Sequence, residues 1–505
     1  MSDAVSRACP LDAAARAALA QVAAFAAARA LFAAALGPGY DESYTIAVAR
    51  RLDLSYFDHP PLHQWIAHFA ALALGEGAPT RIPFVALFAA TGWLMFALTR
   101  RLFGARAGLV ALFALNATPF FFASAGAWVV PDGPLLFALA GAALTLAALF
   151  FNAPAPRAAW ALWVLAGVWL GLAALSKYSA ALAALGVVAF LALSPRQRRW
   201  LAHPAPYAAA LVALAIASPV LVWNARHGWV SLAFQGGRAA LAGGWRPAQV
   251  GATLIGQIAY LTPWIFVSLL VALFDAARGA KGDDKRLFLL CLALPPIVVF
   301  TLTPLWGARG LPHWPMPGWF FVFPLLGAWL AEPWAARVHL KRWAFGAAAA
   351  TAALAVLVVS QAATGWLDRF RPAGGAPDPT LETLDWSALR AAAAANGAAF
   401  VVASRWWEGG KIALALGPRT PVFVFSADPR GMAFVDDASR FVGGDGLVVA
   451  LQGRASETLA ELKPYFSRFD PPQPLTLRRG GRDEIALALI PAHGLTRAFP
   501  VPYPH

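Results

Sequence analysis

Two neighbouring stretches decide how this chain is read: Gly37-Pro38-Gly39-Tyr40-Asp41-Glu42-Ser43-Tyr44 and Tyr56-Phe57-Asp58-His59-Pro60-Pro61-Leu62. They lie between apolar runs near 17–37 and 80–99. A helix needs ~20 apolar residues to cross a bilayer, so both runs qualify as spans. The segment 38–79 is then a loop at one membrane face, and its pattern predicts two short amphipathic helices, 41–53 and 61–74. Asp41 and Glu42 open the first, where carboxylates favour the helix dipole. Taken alone they are first-turn acids, and Asp58 before a proline pair is a turn residue.

Working outward, further apolar runs lie near 107–126, 133–151, 159–175, 178–194, 206–223, 250–274, 286–303, 316–332 and 343–364. With the first two they predict about eleven transmembrane helices, a mainly α polytopic membrane protein. Composition agrees: 59% of the 505 residues are hydrophobic and 13% charged, against about 25% charged in soluble domains. The net charge of +14 sits in short clusters between the runs. Such clusters set topology and do not make a nucleic-acid face. Arg100, Arg101 and Arg106, then Arg157, Arg196, Arg198 and Arg199, then Arg278, Lys281, Lys285 and Arg286, then Arg337, Lys341 and Arg342 mark one side. The positive-inside rule makes that side cytoplasmic. Segments 38–79, 127–132, 176–177, 224–249 and 304–315, with everything after 365, face the other way. The N-terminal run is read as a retained helix.

Residues 1–365 are therefore expected to form the membrane domain, and 366–505 a small extracytoplasmic α/β domain. The latter has β-rich runs at Ala399–Val402, Pro421–Phe425 and Leu447–Leu451, alternating with amphipathic helices near 383–396 and 454–465. Its glycine pairs (Gly409-Gly410, Gly443-Gly444, Gly480-Gly481) match no dinucleotide or phosphate-loop fingerprint. Cys9 and Cys291 offer no disulfide framework. Most of the 21 Trp residues are read as interface anchors.

The loop pattern, from Asp41-Glu42 through Tyr56–Leu62 to Arg81-Ile82-Pro83, resembles the polyprenyl-phosphate-dependent glycosyltransferases of the GT-C type. Within them it is most similar to the lipid A aminoarabinose transferase and protein O-mannosyltransferase-like group. Arg101-Leu102-Phe103-Gly104, Pro131-Asp132-Gly133-Pro134, Leu175-Ser176-Lys177-Tyr178-Ser179, Trp223–Trp229 and His313-Trp314-Pro315 extend the match over residues ~20–330. No one motif is specific; the ordered set is. The resemblance implies that Asp41, with Glu42 beside it, is the catalytic acid pair, Asp41 being the base. An acceptor hydroxyl loses a proton as it attacks, and a positioned carboxylate that takes it contributes ~10²–10⁴-fold. A phosphate acceptor needs no base, and Asp41 would then orient it.

The leaving phosphate calls for cations. Lys177 either binds it or snorkels to the interface, with Tyr178 beside it. Arg226 and His227 are phosphate ligands or interfacial anchors, and Arg309 and Trp314 form a similar candidate group. Asp132 matches a family acid and is otherwise a helix cap. Arg29, inside the first span, either pairs with a carboxylate or helps bind the carrier. The aminoarabinose transferase has a carrier-binding Lys where this chain has His59, and His59 can be neutral. Asp58 with His59 and His63 is a candidate site for a divalent metal; His63 and His68 alternatively form the polar face of an interfacial helix.

The implied function is inverting transfer of a sugar from a polyprenyl-phosphate donor to an envelope acceptor at the periplasmic face of a bacterial inner membrane. A lipid A-like glycolipid is the favoured acceptor, with polysaccharide or protein as alternatives. A lipid-linked-sugar transporter or flippase would show paired broken helices in two related halves. An O-antigen ligase or polymerase would carry its large external loop late in the chain; here it is early.

Overall fold

The computed structural model describes residues 12–239, 244–308, 310–334, 338–371 and 377–503. Cys9 and Arg309 lie outside the described residues. Lipid offers no hydrogen-bond partner to a backbone, so the apolar runs close their own bonds as helices. Among the described residues seven helices are long and apolar enough to cross a membrane, or up to nine if each of two bent pairs is one span. The first is α1 (Ala13–Ala34). The bent pairs are Ala105–Asn116 with Phe120–Ala127, turning by 85°, and Pro247–Leu261 with Pro263–Gly279, turning by 104°. Pro119 and Pro263 stand at the breaks, where a missing N–H and a ring clash stop a straight helix. The two remaining runs are the shorter apolar helices Ala180–Leu193 and Met316–Ala331. All eleven expected runs are thus helical, but fewer than eleven have the length of a crossing.

Small residues let these helices approach closely. A Cβ on Gly167 would lie 2.4 Å from the Ala209 carbonyl oxygen, and one on Gly186 2.3 Å from that of Cys291. Arg29 is buried and serves one break: its guanidinium donates to the Phe122 carbonyl (2.9 Å) and Asn116 Oδ1 (2.8 Å). It lies over the Phe88 ring at 4.6 Å. Neither hydrogen-bond partner is a carboxylate, so Arg29 acts as a brace.

The two ends of the bundle sort as the basic clusters predict. At one end Arg100 pairs with Asp12, Lys285 donates to the Leu102 carbonyl, and Ser194 to Asp284. At the other end the loop 38–79 meets residues 129, 175, 223 and 235 through hydrogen bonds from Val129 N, Leu62 N, Trp223 Nε1 and Gln235 Nε2. The loop holds helices α2 (Tyr40–Ala49) and α3 (Leu62–Leu74).

After the last long helix, Val338–Thr364, the chain forms a sheet of β1 (Phe400–Ala403), β2 (Val422–Val424), β3 (Gly446–Leu451), β4 (Phe466–Phe469), β5 (Gln473–Arg479) and β6 (Arg482–Leu495). The order is β2-β1-β3-β6-β4, with β5 on β6; β1 pairs in parallel with β2 and β3, and β6 runs antiparallel. Helices Ala388–Ala395 and Trp406–Leu416 cover one face, and Ala455–Leu462 the other. Arg479 binds Asp368 (2.6 Å), Asp378 (2.7 Å) and Glu484 (2.9 Å), tying the sheet to the exit of the last long helix. The division at 365 is one of chain order and not of packing. Tyr44, Ala47 and Val48 of α2 share a buried core with Val401, Ile412 and Leu447. Gly410 permits this, because a Cβ there would lie 2.7 Å from the Tyr44 backbone. Of the Gly409-Gly410 pair, Gly410 is therefore a helix-crossing contact, while Gly409 makes room for Val424 of the sheet.

Candidate active site

The acidic pair splits at its first residue. Successive helix positions point about 100° apart, so Asp41 and Glu42 face different surroundings. Glu42 turns inward and is 3% exposed. It takes a two-pronged grip from Arg81, Nε to Oε1 at 2.7 Å and Nη2 to Oε2 at 2.5 Å, and accepts from Gly39 N (3.2 Å) and Val129 N (3.0 Å). Arg81 spends its remaining protons on the carbonyls of Ala33, Leu36 and Gly37. Both groups are fully occupied, which makes Glu42 a fastener between α1, the loop and the second span. The expectation of a catalytic Glu42 is corrected on this ground: its lone pairs are taken and it does not reach open space.

Asp41 is exposed. Surrounding protein nevertheless raises its pKa: burial of its environment dominates, Arg430 and Arg238 oppose, and Glu42 adds. Beside it Asp58 is buried, accepts a short hydrogen bond from the Tyr44 hydroxyl, and lies 3.5 Å from Arg430 Nη1. Burial pushes Asp58 up to about 6, with Arg430 and Tyr44 pulling down and Asp41 pushing up. Arg430 comes from the segment after β2. It stacks 3.9 Å over the Trp406 ring, and its backbone N donates to Tyr503 Oη at 3.0 Å. Its φ of 49° is in the left-handed region, which a non-glycine residue occupies only when its surroundings hold it.

A second group lies within electrostatic reach of the first through Arg238. Lys177 Nζ donates to both oxygens of Asp132 (2.9 and 3.1 Å), and both side chains are buried. The Lys177 charge bears on His59, His63 and His313. Burial dominates in depressing the histidines: His59 well below its usual value, with His63, Lys177 and Arg238 adding; His63 to about 3, with Asp132 opposing and Lys177 adding; His313 to about 4, with Lys177 adding and Asp132 opposing. All three are therefore neutral at pH 7. Arg238 bears on Asp41, His59 and His313 alike, which joins the two groups electrostatically. Its guanidinium lies 5.2 Å from the Trp314 ring. A cavity of about 950 Å³ opens beside it, lined by Phe234, Arg238, Gln249, Thr253 and Pro312.

The other expected residues scatter. Tyr178 hydrogen-bonds Ser231 (2.8 Å) near Lys177. Arg226 is exposed at a helix end. His227 stacks on Trp223 (4.1 Å between ring centres) and bonds the Trp223 carbonyl (2.8 Å), beside a different cavity with Arg51 and Asp53. The phosphate-binding expectation for Arg226 and His227 thus finds no support in their positions. Arg309 falls outside the described residues. The metal triad is corrected too. Among the described residues no group of three or more His, Cys, Asp and Glu could hold a metal ion. Asp58 is engaged by Tyr44 and Arg430, while His59 and His63 pack edge to face at 5.7 Å.

Sequence reading passed over Arg81, Arg238, Arg430 and Trp406. Arg81 carried a signal, a cation at the mouth of a span within a quoted motif. Arg430 and Trp406 carried none, since their partners lie far away in the chain.

Residues 58–223 match the family described as dolichyl-phosphate-mannose-protein mannosyltransferase. No curated protein matches the chain by sequence. The fold is similar to that of ArnT from Cupriavidus metallidurans in the apo state, at 17% identity and a TM-score of 0.62 over 94% of this chain and 98% of that one. The same protein bound to undecaprenyl phosphate gives 17% and 0.60, over 93% and 97%. The apo oligosaccharyltransferase of Archaeoglobus fulgidus gives 13% and 0.51, over 87% and 71%. The expected resemblance to GT-C glycosyltransferases of the aminoarabinose transferase and protein O-mannosyltransferase type is thus found twice, in the sequence of residues 58–223 and in the fold of nearly the whole multi-pass chain.

Proposed function

We propose that the protein is an inverting glycosyltransferase that moves a sugar from a polyprenyl-phosphate donor to an envelope acceptor, a lipid A-like glycolipid being favoured. The reaction takes place at the periplasmic face of an inner membrane. The observation that carries this reading is Asp41: an exposed carboxylate with a raised pKa, under the influence of Arg430 and of Arg238, the latter lining a cavity of about 950 Å³.

The donor is a phosphodiester and its sugar leaves a phosphate monoester behind. The C1–O bond to phosphate breaks as the acceptor oxygen bonds to C1 from the opposite face, which inverts that carbon. The acceptor proton passes to Asp41, and the raised pKa makes it a better acceptor of that proton. Negative charge grows on the phosphate, and Arg238 is placed to meet it from the cavity wall. Lys177 contributes as a hydrogen-bond donor held by Asp132, the pair being neutral overall. The neutral histidines add hydrogen-bonding groups and no net charge. Arg430 holds Asp58 and bears on Asp41, so the sheet region completes the site. ArnT from Cupriavidus metallidurans is known bound to undecaprenyl phosphate, which supports the same carrier class here.

The test is a reconstituted assay with radiolabelled polyprenyl-phosphate sugars and a panel of envelope lipids. Donor-dependent labelling of an acceptor is expected. Movement of intact carrier across vesicles with no transfer would replace this reading with a transporter.

A further inference from the structure

The sheet region carries a cavity of about 510 Å³ that the proposed chemistry does not use. Its walls come from the segments that follow three parallel strands: Ser404–Trp407 after β1, Phe425–Asp428 after β2, and Arg454, Glu457 and Glu461 after β3. The chain leaves β1 for a helix on one face of the sheet and leaves β3 for a helix on the other. Adjacent parallel strands whose connections part to opposite faces open a crevice at their carboxyl ends, and open α/β sheets bind ligands there. The cavity occupies that crevice.

We infer that this crevice is an acceptor subsite that binds a neutral sugar ring, an inference that rests on the glycosyltransferase reading above. Three observations select that ligand. Asp428, Glu457 and Glu461 outnumber Arg405 and Arg454 among the charged lining residues, which disfavours a phosphate. Carboxylates accept and guanidiniums donate, each with two adjacent atoms, and neighbouring hydroxyls do both, so mixed planar charges suit a diol. Arg405 lines the crevice, and its buried Nε has no hydrogen-bond partner among the described residues, so the guanidinium is not fully spent within the protein. Trp406, Trp407, Phe425 and Phe499 add apolar surface for the C–H face of a ring.

Two contacts link the crevice to the helix that carries the reacting carboxylate and to the arginine that acts on it. Trp407 packs on Tyr40 at 4.6 Å between ring centres, and Tyr40 precedes Asp41. Trp406 lies under Arg430, which also approaches Asp428 of the crevice at 3.6 Å. A sugar seated here directs its neighbouring hydroxyl or its linked headgroup toward Asp41, and the acceptor is recognised by the sheet region.

The experiment is titration of the full-length protein in nanodiscs with lactose, maltose, mannobiose and diacetylchitobiose, followed by saturation-transfer NMR. At least one should bind, and Arg405→Ala and Glu461→Gln should each weaken it by about tenfold. Undecaprenyl phosphate should bind wild type and variants equally, which shows that the variants are folded. Absence of binding by all four sugars overturns the inference, as does binding that survives both substitutions. Tighter binding of glucose 6-phosphate or a serine-rich peptide than of every neutral sugar overturns it as well. None of these results touches the glycosyltransferase reading, which fails only if no donor-dependent transfer occurs.

Discussion

Arg430 Nη1 lies 3.5 Å from Asp58 Oδ1, joining the sheet region to the loop after the first span. The arginine is fixed from three sides, by the Trp406 face, by Asp58 and by the Tyr503 hydroxyl at its backbone N. Removing it takes a cation from Asp41 and leaves Asp58 buried without its partner. Arg430→Ala is expected to lower the transfer rate by about 10²-fold, and Arg430→Lys to recover only part, since an ammonium neither stacks on the indole as a plane nor forks to a carboxylate. Tyr503→Phe should give a smaller loss of the same kind. Steady-state rates at saturating donor check this ordering.

Glu42 and Asp41 should fail differently. Glu42→Gln breaks a buried ion pair and strands Arg81, a loss of about 3–5 kcal/mol. The expected outcome is a lower melting temperature in detergent and poor recovery of folded protein. Asp41→Asn should melt like wild type. Equal melting temperatures for all three proteins would contradict the fastening role of Glu42.

Lys177 and Asp132 form a neutral buried pair. Lys177→Met alone should destabilise through the abandoned carboxylate, and Lys177→Met with Asp132→Leu should recover that stability. Carrier binding should not recover with it, staying about tenfold weaker than wild type. Melting curves beside undecaprenyl-phosphate titrations separate the two effects. Full recovery of binding in the double variant would reduce Lys177 to a structural role.

The pH dependence follows from the two raised carboxyls. Asp58 holds its proton up to about 6, and Asp41 lies above the usual carboxylate value. Protonated Asp41 accepts no further proton, so the rate should fall on the acid side, with the limb above the usual carboxylate value. Asp58→Asn should move that acid limb down, leaving Asp41 to titrate alone. For stability the sign is reversed. The unfolded chain releases the Asp58 proton near 3.8 and the native protein near 6, so this group costs stability as pH rises across that window. A flat rate profile from pH 4.5 to 7.5 would contradict the assignment.

Much of this was legible in the sequence. Apolar length announced the helices, and the basic clusters told one end of the bundle from the other. Alternation of β-rich runs with amphipathic helices announced the α/β sheet region. Length could not tell a bent pair from a crossing, because proline breaks at 119 and 263 leave the apolar run intact. Nor could residue type separate Asp41 from Glu42. The family resemblance singles out Asp41 as the base, and the physical reason lies in 100° of helix rotation and in an arginine 39 positions from Glu42. Arg430 was invisible because its importance depends on a strand order that no local pattern encodes.

The central claim is that Asp41 accepts the acceptor's proton. The direct measurement is single-turnover transfer from a radiolabelled polyprenyl-phosphate sugar by Asp41→Asn, with undecaprenyl-phosphate binding measured on the same preparation. A rate lower by about 10²–10⁴-fold with unchanged binding is the predicted result. Transfer at the wild-type rate would contradict it.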